Sequence, residues 1–216
     1  MKHEVLVADD HAIIRDGLSN ILADSGDFVV AGQAANGNAA LEQVRQRNWA
    51  AVILDISMPG RHGLELIKLV REARPRMPIL IFSMHQEEQY AVRAIRAGAS
   101  GYLSKESDID LLLPALRKLV TGGKYISPKV AELLALDLSP VDDALPHLAL
   151  SNREFEVFQQ IVQGASLTEI AADLSVSIKT ISTHKTNILS KMHMSSQVDL
   201  VRYALGHHLL DDLPER

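Results

Sequence analysis

Five polar residues sit just after short apolar runs: Asp9 and Asp10 after EVLVA, Asp55 after AAVIL, Ser83 after ILIF and Lys105 after YLS. If those runs are parallel strands, all five side chains arrive at the carboxyl edge of one sheet, which is where open α/β sheets bind ligands. Three carboxylates in one crevice repel one another unless a cation joins them, and an all-oxygen acidic set suits a hard ion such as Mg²⁺. In such a pocket Asp55 is the nucleophile that accepts a phosphoryl group. Lys105 is its counter-charge, and Ser83 hydrogen-bonds one phosphoryl oxygen. Taken alone, Asp55 reads as the opening of the turn at Met58-Pro59-Gly60, and the acids as a salt-bridged loop cluster. Suitable residue types at successive strand ends favour the phosphoryl pocket. His11, beside the acidic pair, reads as a surface residue.

The elements that would position these residues follow from periodicity. Strands are expected at 4–8, 28–31, 52–54, 79–82 and 102–103. A helix over 12–23 places Ile13, Leu18, Ile21 and Leu22 on one face, and Asn38 can cap the next, which carries Leu41 and Val44. Helical spacing recurs over 64–70, over 90–95 before Gly98, and over 109–120. Strands and helices in alternation predict a doubly wound parallel sheet over residues 1–125.

Composition bounds the rest. The chain has 216 residues, 47% hydrophobic, enough for two domains of ordinary size, and no cysteine, which excludes disulfides and thiolate metal sites. No run approaches a membrane span and the start does not form a signal peptide, so a soluble cytoplasmic protein with no membrane partner is expected. The net charge of -5 hides local bias. Residues 126–146 hold one lysine against four acids and are punctuated by Pro128, Pro140, Asp142, Asp143 and Pro146, which predicts a linker with room for a short helix.

Residues 147–216 read as helix only. Ser151 to Glu154 and Ser166 to Glu169 are capping boxes, Gly164 ends the first helix, and Ser175-Val176-Ser177 is a tight turn before a third helix over 178–192. A fourth helix opens at Ser196. Short helices joined by such a turn describe a helix-turn-helix. On the third helix Ile178, Ile181, Ile188, Leu189 and Met192 are expected to face the core, with Lys179, Thr183, Thr186 and Ser190 opposite. That helix has three lysines and no acid, a bias that fits the major groove of double-stranded DNA. Lys179, Lys185 and Lys191 are assigned to phosphates, and Ser182, Thr183 and Thr186 to base edges, with Thr180 also in the DNA-facing set. His184, His193, His207 and His208 show no metal-ligand spacing.

The phrases VLVADDH, DISMPG, IFSMH and GYLSKE resemble the receiver domain of two-component response regulators over residues 1 to about 125. LSNREFEVFQQIVQG, SLTEIAADLSVSIKTISTHKTNILSKM and VDLVRYA resemble the LuxR-type output domain, and together the two are similar to the NarL/FixJ family. The resemblance implies a flavodoxin-like (βα)5 receiver and a four-helix output domain. It further implies Mg²⁺ held by Asp10, Asp55 and the carbonyl of Ser57, with Asp9 reaching it through water. Asp55 would be phosphorylated by a sensor histidine kinase, Ser83 and Tyr102 would be the switch, and activation would produce a homodimer through Val198, Val201 and Leu205. Ser57 and His85 would flank the pocket. Three departures stand out: Glu106 where many receivers have proline after the lysine, His193 where glycine is common, and Gln197 where arginine is common.

Other function classes fit less well. A phosphohydrolase would need a general acid two residues past the nucleophile, where Ser57 stands, and a flavin module would need a phosphate-cradling loop where Asp9-Asp10 repel one. The nearer alternative is a DNA-binding regulator whose receiver answers to a partner or ligand without phosphorylation.

Overall fold

Aliphatic runs without polar interruption can be buried on both faces of a sheet. In the computed structural model of the chain, β1 (His3–Ala8), β3 (Ala51–Leu54), β4 (Ile79–Ser83) and β5 (Gly101–Ser104) are buried over most of their length. The more polar β2 (Phe28–Ala34) is only partly buried. The structure describes residues 2–58, 63–84, 87–136, 145–174, 176–207 and 209. Pro59, Gly60, His85, Pro140, Asp142, Asp143, Ser175 and His208, singled out above, lie outside them. The strands form one parallel sheet in the order β2-β1-β3-β4-β5. That order reverses direction between β1 and β3, which opens a crevice at their carboxyl ends.

Register aligns the polar residues. Ala8 pairs with Leu54, so Asp9 and Asp55 leave the sheet side by side, and the Asp55 N–H donates to the Ala8 carbonyl at 2.9 Å. Ser83 pairs with Ser104, and the Lys105 N–H donates to the Ser83 carbonyl at 2.8 Å. Helices α1 (Ala12–Asp24), α2 (Gly37–Gln46), α3 (Gly63–Ala73), α4 (Glu87–Ala97) and α5 (Leu112–Val120) alternate with the strands. Leu18 and Leu22 of α1 and Leu112, Leu116 and Leu119 of α5 bury against Val5, Val7, Ile53, Leu80 and Phe82. Each such leucine contributes about 1.5–3 kcal/mol.

Three sequence expectations change here. Ile13 is 81% exposed while Ile14 packs on the core, because Ile14 lies one helical turn before Leu18 and Ile13 does not. Asn36 rather than Asn38 caps α2, its side chain accepting from the Ala39 N–H at 2.9 Å. The helix expected over 109–120 begins as a 3₁₀ turn, Ile109–Leu111, and becomes α-helical at Leu112. Pro114 costs no hydrogen bond so early in the helix.

Arg71 near the end of α3 acts as an internal clamp. Its guanidinium donates to the carbonyls of Gly98 (2.6 and 3.1 Å), Pro75 (2.7 Å) and Met77 (2.9 Å), and to Ser100 Oγ at 3.3 Å. Those acceptors include the end of α4, where Gly98 takes φ 116, and the entries to β4 and β5. Burial lowers the pKa of Arg71.

The chain divides into two compact units, Met1–Leu138 and Ser139–Arg216. Beyond α5, Tyr125 bridges to Gly101, and α6 (Pro128–Leu136) packs on α4 with Val130 fully buried. Residues 126–136, read from sequence as the start of the linker, thus belong to the first unit.

The second unit comprises a 3₁₀ turn, Pro146–Ala149, then α7 (Asn152–Val162), α8 (Leu167–Asp173), α9 (Ile178–Lys191) and α10 (Gln197–Gly206). Capping boxes open α7 at Ser151 with Glu154, α8 at Ser166 with Glu169, and α10 at Ser196 with Asp199, while Ser177 alone caps α9. Phe155, Phe158, Ile161, Ile170, Ile181, Ile188, Leu200 and Ala204 are all fully buried. Buried His147 joins the unit's start to α10, its Nδ1 lying 2.8 Å from the Tyr203 hydroxyl. Past the end of α9, His193 adopts φ 55. A left-handed conformation burdens a residue with a Cβ, so His193→Gly is expected to raise the stability of this unit by up to about 1 kcal/mol in urea unfolding.

Candidate functional site

The crevice between β1, β3 and β5 holds the acidic residues around one lysine. Asp9 and Asp55 are each 2% exposed, and Lys105 Nζ lies 2.6 Å from Asp9 Oδ2 and 2.6 Å from Asp55 Oδ2. Burial alone would push the Lys105 pKa down, but the bonds and charges of Asp55 and Asp9 outweigh it and raise the pKa. The other oxygen of Asp55 accepts the Ser57 N–H at 2.9 Å, so both carboxylate oxygens are held. Asp9 Oδ1 likewise accepts the His11 N–H at 2.9 Å at the start of α1.

Asp10 has its side chain 34% exposed, and His11 Nδ1 lies 2.9 Å from its Oδ1. His11 is surface-exposed, as the sequence suggested, yet it also joins the cluster. One ligand atom from each of Asp9, Asp10, His11 and Asp55 lies within 4.8 Å of the others. Three carboxylates in that space fit a hard divalent cation such as Mg²⁺. Arg15, which sequence reasoning missed, donates from Nη1 to the carbonyls of Asp9 (2.7 Å) and Asp10 (3.1 Å), fixing the turn that carries both acids. Only its place four residues past His11, one helical turn on, could have signalled that role.

Ser83 is fully buried at the end of β4, with its Oγ 3.5 Å from Ser57 Oγ, too long for a strong hydroxyl bond. Tyr102 on β5 is fully buried as well. The peptide between Lys105 and Glu106 is trans, since no cis peptide occurs among the described residues. The structure therefore gathers Asp9, Asp10, Asp55, Ser57, Ser83 and Lys105 at one sheet edge.

In the second unit, α9 turns Ile181, Ile188 and Met192 inward, whereas Ile178 is 48% exposed and Leu189 only partly buried. Ile178 was expected in the core; as the first residue of the helix it projects from the end of the packed region. Lys179, Thr180, Ser182, Thr183, Thr186 and Ser190 are exposed. The Thr183 and Thr186 hydroxyls bond back to the Lys179 and Ser182 carbonyls at 3.0 and 3.1 Å. Two lysines have partners: Lys185 Nζ donates to Gln197 Oε1 at 2.8 Å, and Lys191 Nζ meets buried Glu154 Oε2 at 2.6 Å. Those pairings lay beyond sequence spacing, because the partners sit on other helices. On α10, Val198 (64%) and Leu205 (61%) are exposed with Val201 between them, whereas Leu209, past the end of the helix, is buried.

Burial opposes ionisation of Glu154, but Lys191 and the Ser151 cap outweigh it and lower its pKa. A depressed carboxyl pKa stabilises the fold above the ordinary value of 4.5, and the contribution fades as pH falls through the lowered one. The stability difference between wild type and Glu154→Gln, followed by urea midpoint, is therefore expected to be largest at neutral pH and to shrink in acid.

Comparison with known proteins places this geometry. The family described as "Response regulator receiver domain" matches residues 5–117, and "Bacterial regulatory proteins, luxR family" matches residues 148–204. Oxygen regulatory protein NreC of Staphylococcus carnosus is 37% identical over 217 residues, covering 96% of this chain and 99% of that protein. Response regulator GacA of Pseudomonas syringae pv. syringae is 33% identical over 209 residues, covering 96% and 98%. RcsB from Salmonella enterica serovar Typhimurium, bound to promoter rprA in the presence of phosphomimetic BeF3-, matches with a TM-score of 0.70 at 25% identity over 94% of this chain and 98% of that one. No described helix is long and apolar enough to cross a membrane. With a flavodoxin-like receiver followed by a helix-turn-helix unit, the chain belongs to the NarL/FixJ family of two-component response regulators, whose members are DNA-binding transcription regulators rather than enzymes.

Proposed function

We propose that this chain is a cytoplasmic transcription regulator switched by phosphotransfer from a sensor histidine kinase to Asp55. The observation that carries the reading is Lys105 Nζ held 2.6 Å from both Asp9 and Asp55 in a buried pocket of a chain that also bears the cationic helix α9. An oxygen of Asp55 attacks the phosphorus of a phosphohistidine. The new O–P bond forms as the P–N bond breaks, and the electron pair returns to the imidazole, which takes up a proton. Asp9, Asp10, Asp55 and the Ser57 carbonyl would hold Mg²⁺, which when bound supplies positive charge against the phosphoryl oxygens.

Lys105 then exchanges Asp55 Oδ2 for a phosphoryl oxygen and Ser83 donates to another, with Tyr102 following the hydroxyl. The equilibrium shifts toward a homodimer in which Val198, Val201 and Leu205 of α10 meet their copies. Exposure of the first and last of these side chains supports that contact. Helix α9 enters the major groove with Ser182, Thr183 and Thr186 at base edges and Lys179 at a phosphate. Lys185 and Lys191 reach phosphates by sharing or leaving Gln197 and Glu154.

The test is the affinity of the full chain for promoter DNA with and without beryllofluoride and Mg²⁺, at fixed salt. Tighter binding with the mimic is expected. Equal affinity would instead favour a receiver controlled by a partner protein or ligand without phosphorylation.

A further inference from the structure

β5 ends the sheet order, and an edge strand normally presents unpaired backbone groups. Here the chain returns after α5 and lays Lys124 and Tyr125 along that edge. The Tyr125 N–H donates to the Ser100 carbonyl at 3.1 Å, and the Tyr102 N–H donates to the Tyr125 carbonyl at 3.2 Å. Lys124 Nζ adds a bond to the Ala99 carbonyl at 2.9 Å. The Tyr125 ring packs against the core beneath β5. The close approach requires glycine, since a Cβ on Gly101 would lie 2.8 Å from the Tyr125 carbonyl oxygen and 3.1 Å from its Cβ. Pro128 then opens α6, which packs on α4 with Val130 fully buried.

One continuous segment, 124–136, therefore grips β5 at Tyr102 and also packs on α4 before the chain leaves the first unit. We propose that this segment positions the Tyr102 switch and carries the phosphoryl state of the Asp55 pocket into α6. The inference rests on the reading that Asp55 accepts a phosphoryl group. Tyr102 and Lys105 lie on the same short strand and its exit, so a shift of β5 that frees Lys105 from Asp55 also moves the Tyr102 N–H bonded to Tyr125. Three residues beyond Tyr125 the chain is already helical, so the displacement reaches α6 without a flexible spacer. A strap held by three hydrogen bonds, one to β5 at Tyr102 and two to Ser100 and Ala99 just before it, can loosen without opening the sheet. Coupling of this kind is reciprocal: whatever phosphorylation does to the strap, loosening the strap must do to the pocket's affinity for a phosphoryl group.

Hydrogen–deuterium exchange of the full chain, with Mg²⁺ and with or without beryllofluoride, tests this. Amides in 124–136 are expected to change their exchange rate by about fivefold or more when beryllofluoride binds. In Gly101→Ala the added Cβ pushes the strap away. Its amides should then exchange rapidly in both conditions, residues 104–106 should still respond, and beryllofluoride affinity should shift by about fivefold or more. Lys124→Ala, which removes only the ammonium–carbonyl bond, should give part of the same effect if Gly101→Ala folds poorly. A response at 104–106 with none at 124–136 overturns the inference alone. So does a loosened strap with unchanged beryllofluoride affinity, which would mark the segment as edge cover only. No response at either place overturns the phosphoryl reading and this inference with it.

Discussion

Asp55→Asn is expected to lose phosphoryl incorporation from a small-molecule phosphodonor in the presence of Mg²⁺, by at least about a thousandfold, because the substitution removes the accepting oxygen's charge and nucleophilicity together. The label carried by wild type should be stable in acid and labile in base, the signature of an acyl phosphate. The fold should survive: the asparagine oxygen can still accept the Ser57 N–H, and Lys105 keeps Asp9 as a buried counter-charge. Circular dichroism of the variant would establish that loss of label is not loss of structure. Label persisting in a folded Asp55→Asn chain would place the acceptor elsewhere. Asp10 would then be the next candidate, since it lies in the same cluster and its side chain is 34% exposed.

Arg71→Ala is expected to destabilise the first unit by about 2–4 kcal/mol, read as a lower urea midpoint with an unchanged slope. One guanidinium serves the carbonyls of Gly98, Pro75 and Met77 and the Ser100 hydroxyl, and Ser100 Oγ in turn accepts the Ile79 N–H at 3.2 Å. Its removal leaves several acceptors short of a donor at the points where α4 ends and β4 and β5 begin. Arg71→Lys should recover less than half of the loss, because a single ammonium cannot reproduce the planar fork. A cost below about 0.5 kcal/mol, the range of an ordinary surface substitution, would show that water replaces these bonds.

The cluster of polar strand ends was readable from sequence for a physical reason. An uninterrupted apolar run that stops at a polar residue fixes both the strand and the position of its end, and parallel registry then brings the ends of β1, β3, β4 and β5 together. Helix starts in the second unit were readable at Ser151, Ser166, Ser177 and Ser196 because capping is a contact between near neighbours in the chain. What stayed hidden involves partners far apart in sequence. Arg71 looks like any cation near a helix end, and nothing in its neighbours announces Gly98 or Ser100. Lys191 reads as a free DNA contact until Glu154 is found beside it, and Tyr125 gives no periodic signal for a one-residue bridge to Gly101. The errors at Ile13 and Asn38 were of another kind: at Ile13 the helix start was right but one residue was put on the wrong face, and at Asn38 the cap was placed two residues late.

The serine caps of the second unit bear on time as well as stability. Each of α7 to α10 is started by its own cap, so each helix can begin on contacts between residues one turn apart, although α7 must still find α9 and α10 farther along the chain. Within a helix, loop closure costs little entropy before hydrogen bonds repay it, and helical proteins as a class fold faster than those built on distant strand pairings. The first unit must instead wait for β1 to meet β3 across the whole of β2 and α2, a slower search. The helices of the second unit can thus begin before any distant partner has arrived, whereas the sheet of the first unit cannot.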